Sequence, residues 1–89
     1  MANQSKYIIF ENSCGLEIPV IFSPLIQHKD INLNDFNFKP VAAGFCLFMG
    51  SHYNGSPFYS CWGESVSLKL TSRGKQDSEI LDRYLQYDC

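Results

Sequence analysis

The sequence predicts an α+β domain: a small antiparallel sheet of four or five strands with one C-terminal helix packed on one face. Three observations carry this. Runs rich in β-branched and aromatic residues, bounded by Gly, Pro, Asn or Ser, recur over 6–10, 16–22, 41–49, 56–62 and 65–71. Helical apolar spacing is convincing in one place, where Ile80, Leu81, Tyr84 and Leu85 lie opposite Glu79, Asp82, Arg83 and Gln86. Eighty-nine residues leave room for a single core, so residues 1–89 form one domain.

Taken in order, KYIIF at 6–10 reads as a strand, Glu11–Gly15 as a turn, and Leu16, Ile18, Val20 and Phe22, alternating with Glu17, Pro19 and Ile21, as the return strand of a hairpin. Pro19 has no N–H for a ladder, which puts that strand at the sheet edge. Ser23-Pro24 is a helix-start signal for one turn over 24–28. The segment 29–40 reads as a long loop pinned by Ile31, Leu33, Phe36 and Phe38, and a loop of that length in so small a domain points to function. VAAGFCLFM at 41–49 is apolar on both faces and therefore central.

Asn54-Gly55 predicts a two-residue type I′ turn in which Tyr53 pairs with Ser56. That register sets Leu47 opposite Trp62 and Phe45 opposite Glu64. Phe45, Leu47, Met49, Trp62, Val66, Leu68 and Leu70 then share the face the helix should cover. Cys46, Phe48, Cys61, Ser65 and Ser67 fall on the other face, thinned by Gly44 and Gly63. Cys46 lies diagonal to Cys61, an arrangement that disfavours a disulfide.

Composition excludes several functions. A charge of −2 with scattered cations argues against a long nucleic acid, which needs a basic face. The N-terminal residues lack a signal-peptide pattern and no apolar run reaches membrane-span length, so the expectation is a soluble, cytoplasmic protein. Four cysteines without a CxxC pair, and two histidines, His28 and His52, in unrelated segments, predict no metal site and free thiols. No nucleophile elbow or Cys/His signature surrounds the serines or cysteines, so no catalytic residue and no cofactor is expected. At 15% aromatic the chain is rich in rings for its size, which predicts exposed apolar surface and a homo-oligomer.

Two candidate sites stand out. Lys69, Arg73 and Lys75 fall within seven residues, beside Ser65, Ser67 and Ser72 and just ahead of a helix start. Hydroxyls, cations and free backbone N–H groups at one point suit a compact anion, with Arg73 as the fork that grips it. In the alternative, Ser72 and Gly74 are turn residues and Arg73 and Lys75 ordinary surface charges. The second candidate is aromatic: Phe36 and Phe38 in the long loop, and Tyr53 and Tyr59 at the hairpin, placed to fill a partner's pocket. Its alternative is the satellite core of a small domain.

The segments GLEIPVIFSPLI, VAAGFC and CWGESVSLKLTSR together resemble a loose group of small phage and prophage proteins without an assigned activity. In that group a GLE-P-VIF strand, an AGF strand and a C-GES-SL-L-SR segment precede a short C-terminal helix, and here Gly74 stands where a Pro is the pattern. The resemblance implies a phage accessory protein in the bacterial cytoplasm, of a kind that counters host defence by binding. Three functions follow in order: sequestration of a small anionic, nucleotide-type signal at the Arg73 turn; inhibition of a host defence protein through the aromatics; and, third, a small enzyme.

Overall fold

The run KYIIF becomes the heart of β1 (Gln4–Glu11), whose Tyr7, Ile8, Ile9 and Phe10 are all buried, because β1 is an inner strand covered on both faces. This computed structural model describes residues 4–31, 37–51 and 57–85. β1 turns back into β2 (Glu17–Phe22) around Asn12, whose side-chain oxygen accepts the Cys14 and Leu16 N–H groups, and Gly15 at φ +86°. β3 (Lys39–Ser51) is the long inner strand and β4 (Pro57–Trp62) the far edge, giving an antiparallel order β2-β1-β3-β4. A small ladder of β5 (Glu64–Ser65) and β6 (Leu70–Thr71) follows, then α1 (Lys75–Leu85). The α+β class, the edge position of the Pro19 strand, the inner position of 41–49 and the C-terminal helix are all as the sequence predicts.

Three local expectations are corrected. Strands β3 and β4 pair Phe45 with Trp62 and Cys46 with Cys61, two residues away from the expected register, because β3 carries a bulge between Phe48 and Gly50 and pairing ends at Ser51–Pro57. The Asn54-Gly55 turn itself lies outside the described residues. The expected strand over 65–71 is instead a tight hairpin. Gly63, at φ +84°, ends β4, Ser65 turns inward at 2% exposure, and Val66 is left 81% exposed on a turn closed by the Lys69 N–H to the Val66 carbonyl. The helical turn expected over 24–28 forms later, as a 3-10 turn over His28–Asp30, while Ser23 caps a simple turn by accepting the Leu25 N–H.

The helix also takes the opposite face from the one expected. Ile80 and Leu81 of α1 pack on Tyr7, Ile9, Ala42, Cys46 and Cys61. On β3 that face presents the small Ala42 and Cys46 to the helix residues, and Gly44, where a Cβ would meet the Trp62 carbonyl oxygen and Ser72. The bulkier face is a second core: Ile8, Phe10 and Ala43, covered by Ile31, Phe38, Leu68 and Leu70 from the 3-10 turn, the long loop and the β5–β6 hairpin. The apolar alternation of 65–71 therefore reports a lid on this second core.

Candidate functional site

Arg73 lies in the turn between β6 and α1, and its guanidinium is directed into the protein. Nη1 and Nη2 donate to the two carboxylate oxygens of Glu17 on β2 at 3.2 and 2.9 Å, while Nε donates to Asp77 Oδ1 at 2.8 Å. Asp77 is fully buried in the first turn of α1, and its Oδ2 accepts both the Arg73 backbone N–H at 2.9 Å and the Tyr7 hydroxyl. The Tyr7 and Ser72 hydroxyls share a 2.7 Å bond, and Ser72 Oγ accepts the Gly74 N–H. A carboxylate belonging to the chain thus occupies the place at the helix start that an anion would take.

These five side chains clasp α1 to β1 and β2. Hydrogen bonds from Arg73 hold the Glu17 carboxyl below its ordinary range, and the same bonds raise the Arg73 guanidinium. Burial, then the bond to Asp77, pushes the Tyr7 phenol far up, so it stays a donor at any physiological pH. No buried side-chain nitrogen or oxygen among the described residues lacks a partner.

The other members of the expected anion site are dispersed. Lys69, at φ +58°, is exposed in the β5–β6 turn on the second core, and Lys75 is exposed as the first residue of α1 on the other face. Ser65 and Ser67 reach a different place, a shallow cleft of about 220 Å³ with Lys6, Gln27, His28, Phe45, Glu64 and Val66. The six residues do not surround one point.

No local sequence pattern marks that cleft, because its lining comes from β1, β3, the 3-10 turn and the β5–β6 hairpin. Lys6 on β1 pairs with Phe22 on one side and Phe45 on the other, and His28 sits edge-on to both rings at 5.4 and 6.1 Å between centroids. Trp62 stacks on Phe45 at 6.4 Å and continues the row. His28 Nε2 donates to the Gly44 carbonyl at 2.9 Å, which assigns the proton of the neutral ring to that nitrogen. Burial holds its pKa below the ordinary value, against the smaller opposing effect of that bond. The Ser65 and Ser67 hydroxyls lie 3.4 Å apart, and Ser65 Oγ also accepts the Leu68 N–H.

The aromatic candidates separate as well. Phe38 is half-buried against the second core at the start of β3, whereas Tyr59 pairs with Phe48 near its far end, rings 5.2 Å apart. Ten strand residues put roughly 30 Å between the two places. Phe36 and Tyr53 lie outside the described residues. Around Tyr59, Phe48 is 49% exposed, and Met49, expected on the covered core face, is instead 57% exposed beside the bulge between Phe48 and Gly50. Among the described residues no three His, Cys, Asp or Glu side chains converge as a metal would require, and no helix is long and apolar enough to cross a membrane. No protein-family model, curated protein or solved structure matches the chain.

Proposed function

We propose that the chain is a phage-borne accessory protein of the host cytoplasm that inhibits a protein of the host's antiviral defence by direct contact, without catalysis. Its contact surface is the outer end of the β3–β4 hairpin: Phe48, Met49 and Tyr59. The observation that carries this reading is the exposure of Phe48 and Met49 beside a half-buried Tyr59. Large apolar side chains next to an aromatic are the usual anchors of a protein interface. Anion capture at the Arg73 turn loses support, since two carboxylates already neutralise that guanidinium.

The test is phage growth on the natural host with the wild-type gene and with Phe48→Ala/Met49→Ala. We expect plaquing to fall at least tenfold for the double variant while the purified protein unfolds within a few degrees of wild type. Undiminished plaquing would place the contact surface elsewhere.

Ligand capture keeps one specific support, the cleft where Ser65 and Ser67 meet the Phe45 ring. An aromatic wall edged by Lys6, Gln27 and Glu64 suits a flat polar ligand such as a nucleobase better than a bare phosphate. Calorimetric titration of nucleosides and of linear and cyclic nucleotides tests it: binding weakened by Ser67→Ala and untouched by Lys75→Ala supports the cleft, and no binding across the panel removes it.

A further inference from the structure

Cys46 and Cys61 are direct partners across the β3–β4 ladder, both buried beneath α1, and both free thiols. The ladder phase follows from a neighbouring bond. Tyr59 donates its backbone N–H to Asp82 Oδ1 on α1 at 2.9 Å, away from β3, so Tyr59 and Phe48 form a non-hydrogen-bonded pair. Pairing runs without interruption from Phe48–Tyr59 to Phe45–Trp62, and antiparallel pairs alternate in type. Cys46–Cys61, two residues along, is therefore non-hydrogen-bonded too, the type in which Cα atoms approach to about 4.5 Å and side chains come closest. That separation lies inside the window for a disulfide.

From this register we propose that Cys46 and Cys61 are an oxidisable pair that closes into a cross-strand disulfide within the native fold, locking the β3–β4 hairpin. The co-reactant is a low-molecular-weight disulfide such as oxidised glutathione. One cysteine thiolate attacks it, the glutathione S–S bond breaks, and one glutathione leaves as thiol, taking up a proton. The second cysteine thiolate then attacks the protein sulfur of the mixed disulfide and expels the second glutathione as thiol. Two electrons pass from the protein sulfurs to one glutathione disulfide, and the two thiol protons end on the released thiols.

The burial that aligns the pair also keeps it slow. Burial pushes the Cys46 thiol up to about 12 and the Cys61 thiol up to about 11, so almost no thiolate is present at neutral pH. The first exchange therefore waits for α1 to lift, and the Arg73–Asp77–Tyr7 clasp that holds α1 sets how often that happens. The bridge would close a loop containing the hairpin end that carries Phe48 and Met49, though the proposal does not depend on what that end binds.

The experiment uses the full chain as Cys14→Ser/Cys89→Ser, which removes the exposed Cys14 and the other remaining thiol. After incubation with oxidised glutathione we expect a mass lower by two hydrogens, a proteolytic fragment joining Cys46 to Cys61, and a midpoint of thermal unfolding higher by about 5 °C or more that reductant reverses. Adding Asp77→Asn should speed bridge formation severalfold. The proposal is overturned if both thiols remain alkylatable after denaturation, if glutathione stays attached to one cysteine, or if the bridged protein melts lower than the reduced one. An oxidation rate unmoved by Asp77→Asn would overturn the role given to α1.

Discussion

Arg73 shows how one side chain can have two fates that its neighbours in sequence do not distinguish. The three donors it commits go to Glu17, 56 positions away, and to Asp77, four positions away, and the second carboxylate has no access to water. An exposed ion pair is worth at most about 1 kcal/mol, whereas stranding a buried carboxylate costs several. With Arg73 itself a quarter exposed, Arg73→Ala should cost about 1.5–3 kcal/mol in urea unfolding, and Arg73→Lys should recover only part, because Lys cannot reproduce the fork. A loss under about 0.5 kcal/mol would mean the clasp is dispensable.

The pH dependence of the clasp has a definite sign. Glu17 is held below its unfolded pKa, so its contribution is fully present above that value, about 4.3, and is lost as pH falls through the lower folded value. The stability difference between wild type and Glu17→Gln should therefore be constant near neutrality and shrink below about pH 4. His28 follows the same sign at a higher pH. Its folded pKa is depressed, so acid begins to destabilise the protein below about pH 6.5, as the unfolded state takes up the proton first. Denaturant midpoints from pH 8 to 5 should fall for wild type and stay flatter for His28→Gln; parallel curves would show that burial does not hold the ring neutral.

Among the elements, the break between β4 and β5 depends on one residue. Gly63 sits at φ +84°, and a methyl group there would meet the Phe45 ring at 2.8 Å. Gly74, just before α1, has φ +62° with open space around it. Left-handed backbone costs an L-residue about 1–2 kcal/mol, and the ring contact adds strain at Gly63 only. Gly63→Ala should therefore destabilise more than Gly74→Ala, with the larger value about 2–4 kcal/mol; equal losses would show that Phe45 yields freely. The same geometry rules proline out at position 74. Proline fixes φ near −65° and cannot adopt this turn.

For the molecule as a whole, the four-stranded sheet is guarded at both edges. β2 contains Pro19, β4 begins at Pro57, and the outward Tyr59 N–H is taken by Asp82. Self-association, if it follows the expectation from composition, must use side-chain faces instead of strand addition. The most protruding apolar group near the aromatic row is Val66, with Trp62 39% exposed beside Phe45. Light scattering under reducing conditions should give at least twice the 10.2 kDa chain mass, falling to one chain in Val66→Asp. A wild-type monomer at micromolar concentration would overturn the self-association expected from composition.

The class of fold, the Pro19 edge, the inner position of 41–49 and the helix around Ile80 and Leu81 were legible in the linear sequence, because alternation, helical spacing and proline's missing donor act within a few residues. The face that α1 covers was not. Both faces of β3 are apolar, and the face that meets Ile80 and Leu81 is the one carrying the small Ala42 and Cys46, a matter of volume between elements. The candidate site was misplaced for the same reason of range. Local spacing brought Lys69, Arg73 and Lys75 together, but a turn over Val66–Lys69 sent Lys69 to one side of the sheet, and Glu17 and Tyr7, 56 and 65 positions from their partners Arg73 and Ser72, claimed the rest. Contacts between distant residues form only when the sheet has brought β1, β2 and α1 together, so the fate of Arg73 belongs to the packed molecule.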